Sequence, residues 1–295
     1  MRLCSNCATA HEATLAACPA CGWAPPVVNG FPALAPEMDA AGAAGFRPEG
    51  FDALAALEAG SFWFRARNRL ILWAVRRHAP GMRNLLEIGC GTGFVLAALA
   101  QAFPDARITG SEVFTRGLAF AAGRVPRARL VQMDARDIGH VDEFDVIGAF
   151  DVLEHIAEDT EVLAQIGQAL VPGGVLVLTV PQHPWLWSPA DDYACHQRRY
   201  RRGEMERKLR AAGFTVERST SFVTLLLPAM LASRLLQRRT DADSYDPTAE
   251  FRLHPLLNTL FGAVMRLESA LIRAGLPLPV GGSRLVVACK GDTGP

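Results

Sequence analysis

The chain is poor in lysine, has no net charge and has no apolar segment at its start. Lys208 and Lys290 are the only lysines, so the basic character is almost entirely arginine. Thirty basic and thirty acidic residues cancel over 295 positions. That balance withholds the overall basic footprint of a nucleic-acid binder and argues against such a partner. The opening Met-Arg-Leu-Cys has no apolar h-region, so neither a signal peptide nor a transit peptide is expected, and a cytoplasmic location is. The most membrane-seeking stretch, Ser219 to Ser233, contains Pro228 and falls short of the ~20 residues of a spanning helix. No transmembrane helix is expected.

Half of the residues are hydrophobic and 20% are charged, enough for a sizeable core and unlike a disordered or collagen-like chain. The length exceeds the usual ~100–200 residues per domain, which suggests one large domain and a small accessory unit. Charge is unevenly spread. Between Arg198 and Arg239 eleven Lys or Arg residues face three glutamates, so this segment carries a surplus of eight that the rest of the chain offsets. An anionic partner near one surface is the expected reason.

Four of the seven cysteines form Cys4-x2-Cys7 and Cys18-x2-Cys21, the second within Cys-Pro-Ala-Cys-Gly. A two-residue gap lets both thiolates of a pair face one tetrahedral ion, and residues 1–24 resemble a short zinc ribbon holding a structural Zn2+. Two disulfides are disfavoured without a secretion signal, and iron in a rubredoxin-like knuckle is the other alternative. His11 lies in the intervening loop and is not expected to be a ligand. Residues 25–50, rich in Ala, Pro and Gly without hydrophobic period, read as a linker, which leaves 51–295 as the main domain. Apolar spacing from Phe51 to Pro80 predicts helices preceding a sheet. Three consecutive aromatics, Phe62, Trp63 and Phe64, cannot all face one core, which makes Trp63 a candidate pocket residue.

Asn84-Leu-Leu-Glu87-Ile-Gly89-Cys-Gly91-Thr-Gly93 is a short apolar strand running into a glycine turn, followed by a helical run from Phe94 to Ala102. Glycines suit a tight strand-to-helix turn whose backbone touches a ligand. Phe94 stands where a dinucleotide fingerprint requires its last glycine, so pyrophosphate binding fits poorly. Three more strands end in acids, at Glu112, nineteen residues after Gly93, at Asp134 and at Asp151, the last opening Asp151-Val-Leu-Glu154-His155. An acid at Glu112 suits two ribose hydroxyls, as it also would in a dehydrogenase. Val175–Pro181, Phe214–Arg218 and Arg284–Lys290 read as further strands, with helices from Asp159 to Leu170, Glu204 to Ala212 and Leu256 to Ala274.

These strings resemble the motifs of class I S-adenosylmethionine-dependent methyltransferases of the small-molecule type, over roughly residues 51–218 and 284–290. The resemblance implies a Rossmann-like, doubly wound, mainly parallel seven-stranded α/β sheet. A helical insertion at about 220–282 precedes its last strand. It further implies cofactor binding by Glu87, Gly89, Gly91, Gly93, Glu112, Asp134 and Asp151, with Asp134 contacting the adenine amine. His155 is the candidate base. Trp63, His183, His196, Arg199 and Tyr200 are candidate substrate residues, the last four from a Trp-Ser…His-x-Arg-Arg-Tyr region similar to that of bacterial methyltransferases found beside glycan and lipid-linked sugar enzymes.

The expected activity is methyl transfer to a hydroxyl or carboxyl of a small or lipid- or glycan-linked anionic acceptor. An apolar run with Arg234, Arg238 and Arg239 within 222–239 suits peripheral contact with an anionic membrane, or alternatively a lid over the site. Competing readings are an RNA methyltransferase with an N-terminal zinc unit, which the missing Asn/Asp-Pro-Pro-aromatic motif weakens, a non-catalytic zinc-ribbon interaction protein, and an NAD oxidoreductase.

Overall fold

The computed structural model describes residues 1–12, 16–40, 50–237 and 253–291. Asn84–Ile88 (β1), Arg107–Glu112 (β2), Arg129–Gln132 (β3), Phe144–Phe150 (β4), Leu170–Pro181 (β5), Phe214–Phe222 (β6) and Ser283–Lys290 (β7) form one sheet in the order β6-β7-β5-β4-β1-β2-β3. β7 runs antiparallel to both neighbours, and the pairs from β5 to β3 are parallel. Every residue of β1 is buried, as expected for a central strand covered on both faces.

Alternate side chains of β1 feed two cores. Leu85 packs with Leu70, Ile71, Leu96, Leu99 and Leu118, beneath the helices Phe62–His78 (α2), Phe94–Ala102 (α3) and Thr115–Arg124 (α4). Leu86 packs with Val162, Leu163, Ile166, Met205 and Leu209, beneath Asp159–Ala169 (α5) and Glu204–Ala211 (α6). The helix Gly50–Leu57 (α1) lies against α4.

Residues 25–40, expected to be linker, are structured. Val27–Val28 and Phe31–Pro32 form a hairpin, and Ala33 pairs with Gln132 at the end of β3. Gln132 is fully buried, accepts from the Ala35 N–H and donates to the Ala35 carbonyl, so its amide needs this segment for satisfaction. A helical turn at Pro36–Ala40 brings the Asp39 carboxylate to the N–H and hydroxyl of Thr115, where α4 begins. Low hydrophobic periodicity hides these contacts because the hydrogen bonds carry no pattern, and the packing of Ala33, Phe31 and Leu34 beside them is too short to show one.

The four-cysteine unit also joins the main domain through its backbone. The Leu3 N–H donates to the Gly139 carbonyl at 2.7 Å, and the Val141 N–H donates to the Met1 carbonyl at 2.8 Å. After β6 the chain forms Leu227–Gln237 (α7) and Pro255–Arg273 (α8) before β7. The Glu268 carboxylate on α8, fully buried, accepts from the N–H groups of Val223, Thr224 and Leu225 at 2.6–2.7 Å, and so fixes the turn where Val223 takes φ +59°. No helix among the described residues is long and apolar enough to cross a membrane.

Gly93 caps α3 with φ +77°, and a Cβ there would stand 2.8 Å from the Ala121 Cα in α4. A Cβ added at Gly123, inside α4, would have nothing within 4 Å. Gly93→Ala is expected to destabilise the fold by about 2 kcal/mol or more, and Gly123→Ala to leave stability unchanged or raise it by up to ~1 kcal/mol. Urea unfolding of both variants checks the contrast.

Candidate active site

A cavity of about 980 Å³ opens at the C-terminal ends of β1, β2, β3 and β4 and is covered by α1, α2 and α7. Parallel strands converge on that edge, which is where a doubly wound sheet offers its crevice. The glycine turn supplies one wall through Gly89, Cys90, Gly91 and Thr92, with Phe51 and Phe114 nearby, their rings 6.3 Å apart edge to face. Cys90, between the two glycines, is buried. A Cβ at Gly89 would meet the Val152 side chain at 2.6 Å, whereas the space above Gly91 is open apart from Phe51 at 3.7 Å.

Glu87 precedes the turn on β1, only 2% exposed, and its Oε2 has no hydrogen-bond partner among the described residues. Burial pushes its carboxyl well above the usual range, with Arg67 pulling it back and Glu112 and Glu58 pushing it further. Glu112 at the end of β2 accepts from the N–H groups of Gly91, Val113 and Phe114 at 3.0, 2.8 and 3.3 Å. Burial raises its carboxyl too, against the pull of those amides. Three of the roughly four acceptor positions of a carboxylate are thus taken, so Glu112 fastens the glycine turn to β2 as well as facing the cavity. Asp134 also lines the cavity, but both its oxygens accept from Arg136 at 2.8–3.1 Å. Gly93 does not line the cavity; it caps α3.

Toward α7 the walls become ionic. Asp151 takes φ +58° and accepts from the Thr179 hydroxyl at 3.1 Å, and Arg67 Nε lies 2.7 Å from its Oδ2. The Arg67 guanidinium also stands 5.1 Å from the centre of the Trp63 ring, so Trp63 lines the cavity with a cation stacked on it. Glu154 is 1% exposed, and burial together with Asp151 pushes its carboxyl well up. His155 and His196 stand edge to face with ring centres 4.8 Å apart. Asp191 receives His196 Nδ1 at 2.9 Å, Arg199 Nε at 2.7 Å and Arg234 Nη1 at 3.3 Å.

Two expected substrate residues lie elsewhere. Tyr200 is buried in the second core and donates its hydroxyl to Asp159 at 2.8 Å, and His183 stacks on Trp185 with centroids 5.1 Å apart; neither lines the cavity. The described part of 222–239 answers to the alternative expectation, a cover over the site, and gives no support to membrane contact. Arg234 is buried against Asp191, and Leu226 and Met230 line the cavity; Arg238 and Arg239 lie outside the described residues. Glu58, Arg67, Glu154 and Asp191 join the site although they are not among the expected site residues, and Arg234, expected in a membrane contact or a lid, joins it too. Arg67 stands one helical turn after Trp63, and Glu154 stands inside the Asp-Val-Leu-Glu-His string, so both carry a usable signal.

Burial pushes the Asp159 carboxyl up, but Lys208 and Tyr200 hydrogen bonds hold it below the usual range. A carboxyl depressed in the fold stabilises above its unfolded value of about 4 and loses that contribution as pH falls through its folded value. Tyr200→Phe is therefore expected to cost about 1–3 kcal/mol at neutral pH, with the deficit shrinking below about pH 4, and to leave ligand binding in the cavity unchanged. Denaturant unfolding against pH, with binding measured in parallel, checks both parts.

Residues 86–176, from β1 into β5, match the family described as a methyltransferase domain. Trans-aconitate 2-methyltransferase of Deinococcus radiodurans is 32% identical over 115 residues, 39% of this chain and 41% of that protein. The dTDP-3-amino-3,6-dideoxy-alpha-D-glucopyranose N,N-dimethyltransferase of Streptomyces fradiae is 34% identical over 119 residues, 39% of this chain and 44% of that protein. The chain thus spans less than half the length of these two curated relatives. Phosphoethanolamine N-methyltransferase 2 of Haemonchus contortus, solved with S-adenosyl-L-methionine, shares the fold at a TM-score of 0.56 and 19% identity, covering 83% of this chain and 57% of that one. The sheet order and the match over 86–176 together make this a Rossmann-like methyltransferase fold.

Proposed function

We propose that the protein transfers a methyl group from S-adenosylmethionine to an oxygen atom of a small anionic acceptor. The observation that carries the cofactor half is Glu87: a buried carboxylate with an unmatched oxygen beside an open glycine turn suits the ammonium of an amino-acid moiety. Glu112 keeps one acceptor position for a ribose hydroxyl. Asp134 meets an adenine amine only in competition with Arg136, which makes it a weaker contact than the resemblance implied. When bound, the sulfonium supplies the electrophilic methyl group.

The other half of the cavity supports the acceptor class. Arg67, Arg199 and Arg234 stand against the carboxylates of Asp151 and Asp191, and burial pushes the Glu154 carboxyl up, away from its charged form. The balance favours an anion such as a carboxylate. The similarity to trans-aconitate 2-methyltransferase supports the same class. Trp63, Leu226 and Met230 exclude water, and alignment of the acceptor oxygen with the methyl group accounts for much of the expected rate. His155 and His196 are the side chains positioned to take a proton from a hydroxyl acceptor. A lipid- or glycan-linked acceptor is compatible with the cavity only if its anionic end passes beneath α7.

The four thiols fit a structural zinc. Cys4 and Cys21 sulfurs are 3.6 Å apart, and Cys7 and Cys18 sulfurs 3.7 Å. A tetrahedral ion with bonds of ~2.3 Å separates its sulfurs by about 3.8 Å. Because residues 1–3 pair with residues 139–141, this ion would also hold the segment before β4 in place.

Titration calorimetry is expected to show binding of S-adenosylhomocysteine and none of NAD, with Glu87→Gln weakening it at least about tenfold. Incubation with methyl-deuterated cofactor and a panel of small carboxylic and hydroxy acids is expected to label oxygen. Binding of NAD in place of S-adenosylhomocysteine would overturn the cofactor assignment, and labelling confined to amines or RNA would overturn the acceptor class.

A further inference from the structure

Glu154, His155 and His196 bring their ligand atoms within 4.8 Å of one another on the cavity wall. We propose that these three side chains form a second metal site, distinct from the four cysteines, for a divalent first-row transition ion of the zinc, cobalt or iron(II) class. Two imidazoles and one carboxylate are the donor set such ions favour, and three protein ligands leave positions open toward the cavity.

Four features of the surroundings support a built site. Both Glu154 carboxylate oxygens are buried and lack a hydrogen-bond partner among the described residues, so a cation is the missing counterpart. His196 turns Nδ1 to Asp191 at 2.9 Å, which leaves Nε2 as its donor atom and reproduces the carboxylate–histidine support common behind metal ligands. The two ligand-bearing loops are tied together, since the Gln197 N–H donates to the Glu154 carbonyl at 2.7 Å and the His196 N–H to the Asp191 carbonyl at 2.9 Å. Finally, the three arginines nearest the site are each engaged by a carboxylate, Arg67 by Asp151 and Arg199 and Arg234 by Asp191, so none stands unpaired against the ion. Bonds of 2.0–2.2 Å place donor atoms roughly 3–3.5 Å apart, so the ligands close by about an ångström on binding.

This site goes beyond the proposed methyl transfer and does not depend on it; with an ion bound, His155 and His196 serve as ligands and no longer as acceptors of a substrate proton. The test uses full-length protein whose cysteines are first saturated with zinc, titrated with Co2+ by calorimetry and visible absorption. The expected result is one further equivalent with weak d–d bands and no thiolate charge-transfer band. Glu154→Gln and His196→Gln should each weaken that equivalent at least tenfold, and Cys195→Ser should not. Near-ultraviolet circular dichroism and S-adenosylhomocysteine binding report whether each variant is folded. Absence of a further equivalent in the wild type, or its survival in folded Glu154→Gln, would overturn the proposal. Loss of S-adenosylhomocysteine binding by the wild type with cobalt binding intact would overturn the methyltransferase reading and leave the metal site standing.

Discussion

A carboxylate on the central strand of a sheet covered on both faces has few ways to be stable. It can be paired, protonated or met by a ligand. Glu87 is in that position, with Arg67 as the cation that draws its carboxyl back toward ionisation and one oxygen unmatched. Much of the cavity is arranged around it. Arg67 comes from α2, whose aromatic start also supplies Trp63, and the same arginine is paired with Asp151 at the end of β4. The glycine turn that exposes backbone next to Glu87 is fastened by Glu112, so three strand ends are coupled through four charged side chains.

The insertion before the last strand extends this logic to the cover of the cavity. Glu268 fixes the entry to α7 by taking three consecutive N–H groups, and Arg234 then reaches Asp191. Phe62 on α2 and Phe261 on α8 meet edge to face at 5.4 Å, and Asn258 accepts from the Phe62 N–H at 2.8 Å, so the insertion rests on the helix that carries Trp63 and Arg67. Cover and cavity wall therefore share contacts, and displacing one disturbs the other.

Much of this is legible in the sequence because it depends on periodicity and turn chemistry. The strands at Asn84–Ile88 and Arg107–Glu112 and the helix at Phe94–Ala102 have the bounds their residues suggest. The helix Thr115–Arg124 has no comparable signal, since a short segment with two glycines and an arginine near each end carries a weak pattern. The contacts of residues 25–40 are hidden for a different reason: Gln132 and Thr115 are satisfied by partners 97 and 76 residues away, and nothing local marks them as unsatisfied. Tyr200 reads as a substrate residue because its neighbours Arg199 and His196 do face the cavity, yet its own side chain points into the core toward Asp159. Side-chain direction in an irregular segment is set by tertiary packing, and no period predicts it.

The central claim is that Glu87, its carboxyl pushed up by burial and one oxygen unmatched, is the group that meets a cationic ligand. Proton release on binding S-adenosylhomocysteine tests it most directly, measured at about pH 6 by calorimetry in buffers of different ionisation enthalpy. A carboxyl that ionises to meet the ligand's ammonium predicts release of up to one proton, lost in Glu87→Gln. Binding heats that do not depend on the buffer, or a release that Glu87→Gln leaves unchanged, would contradict the account.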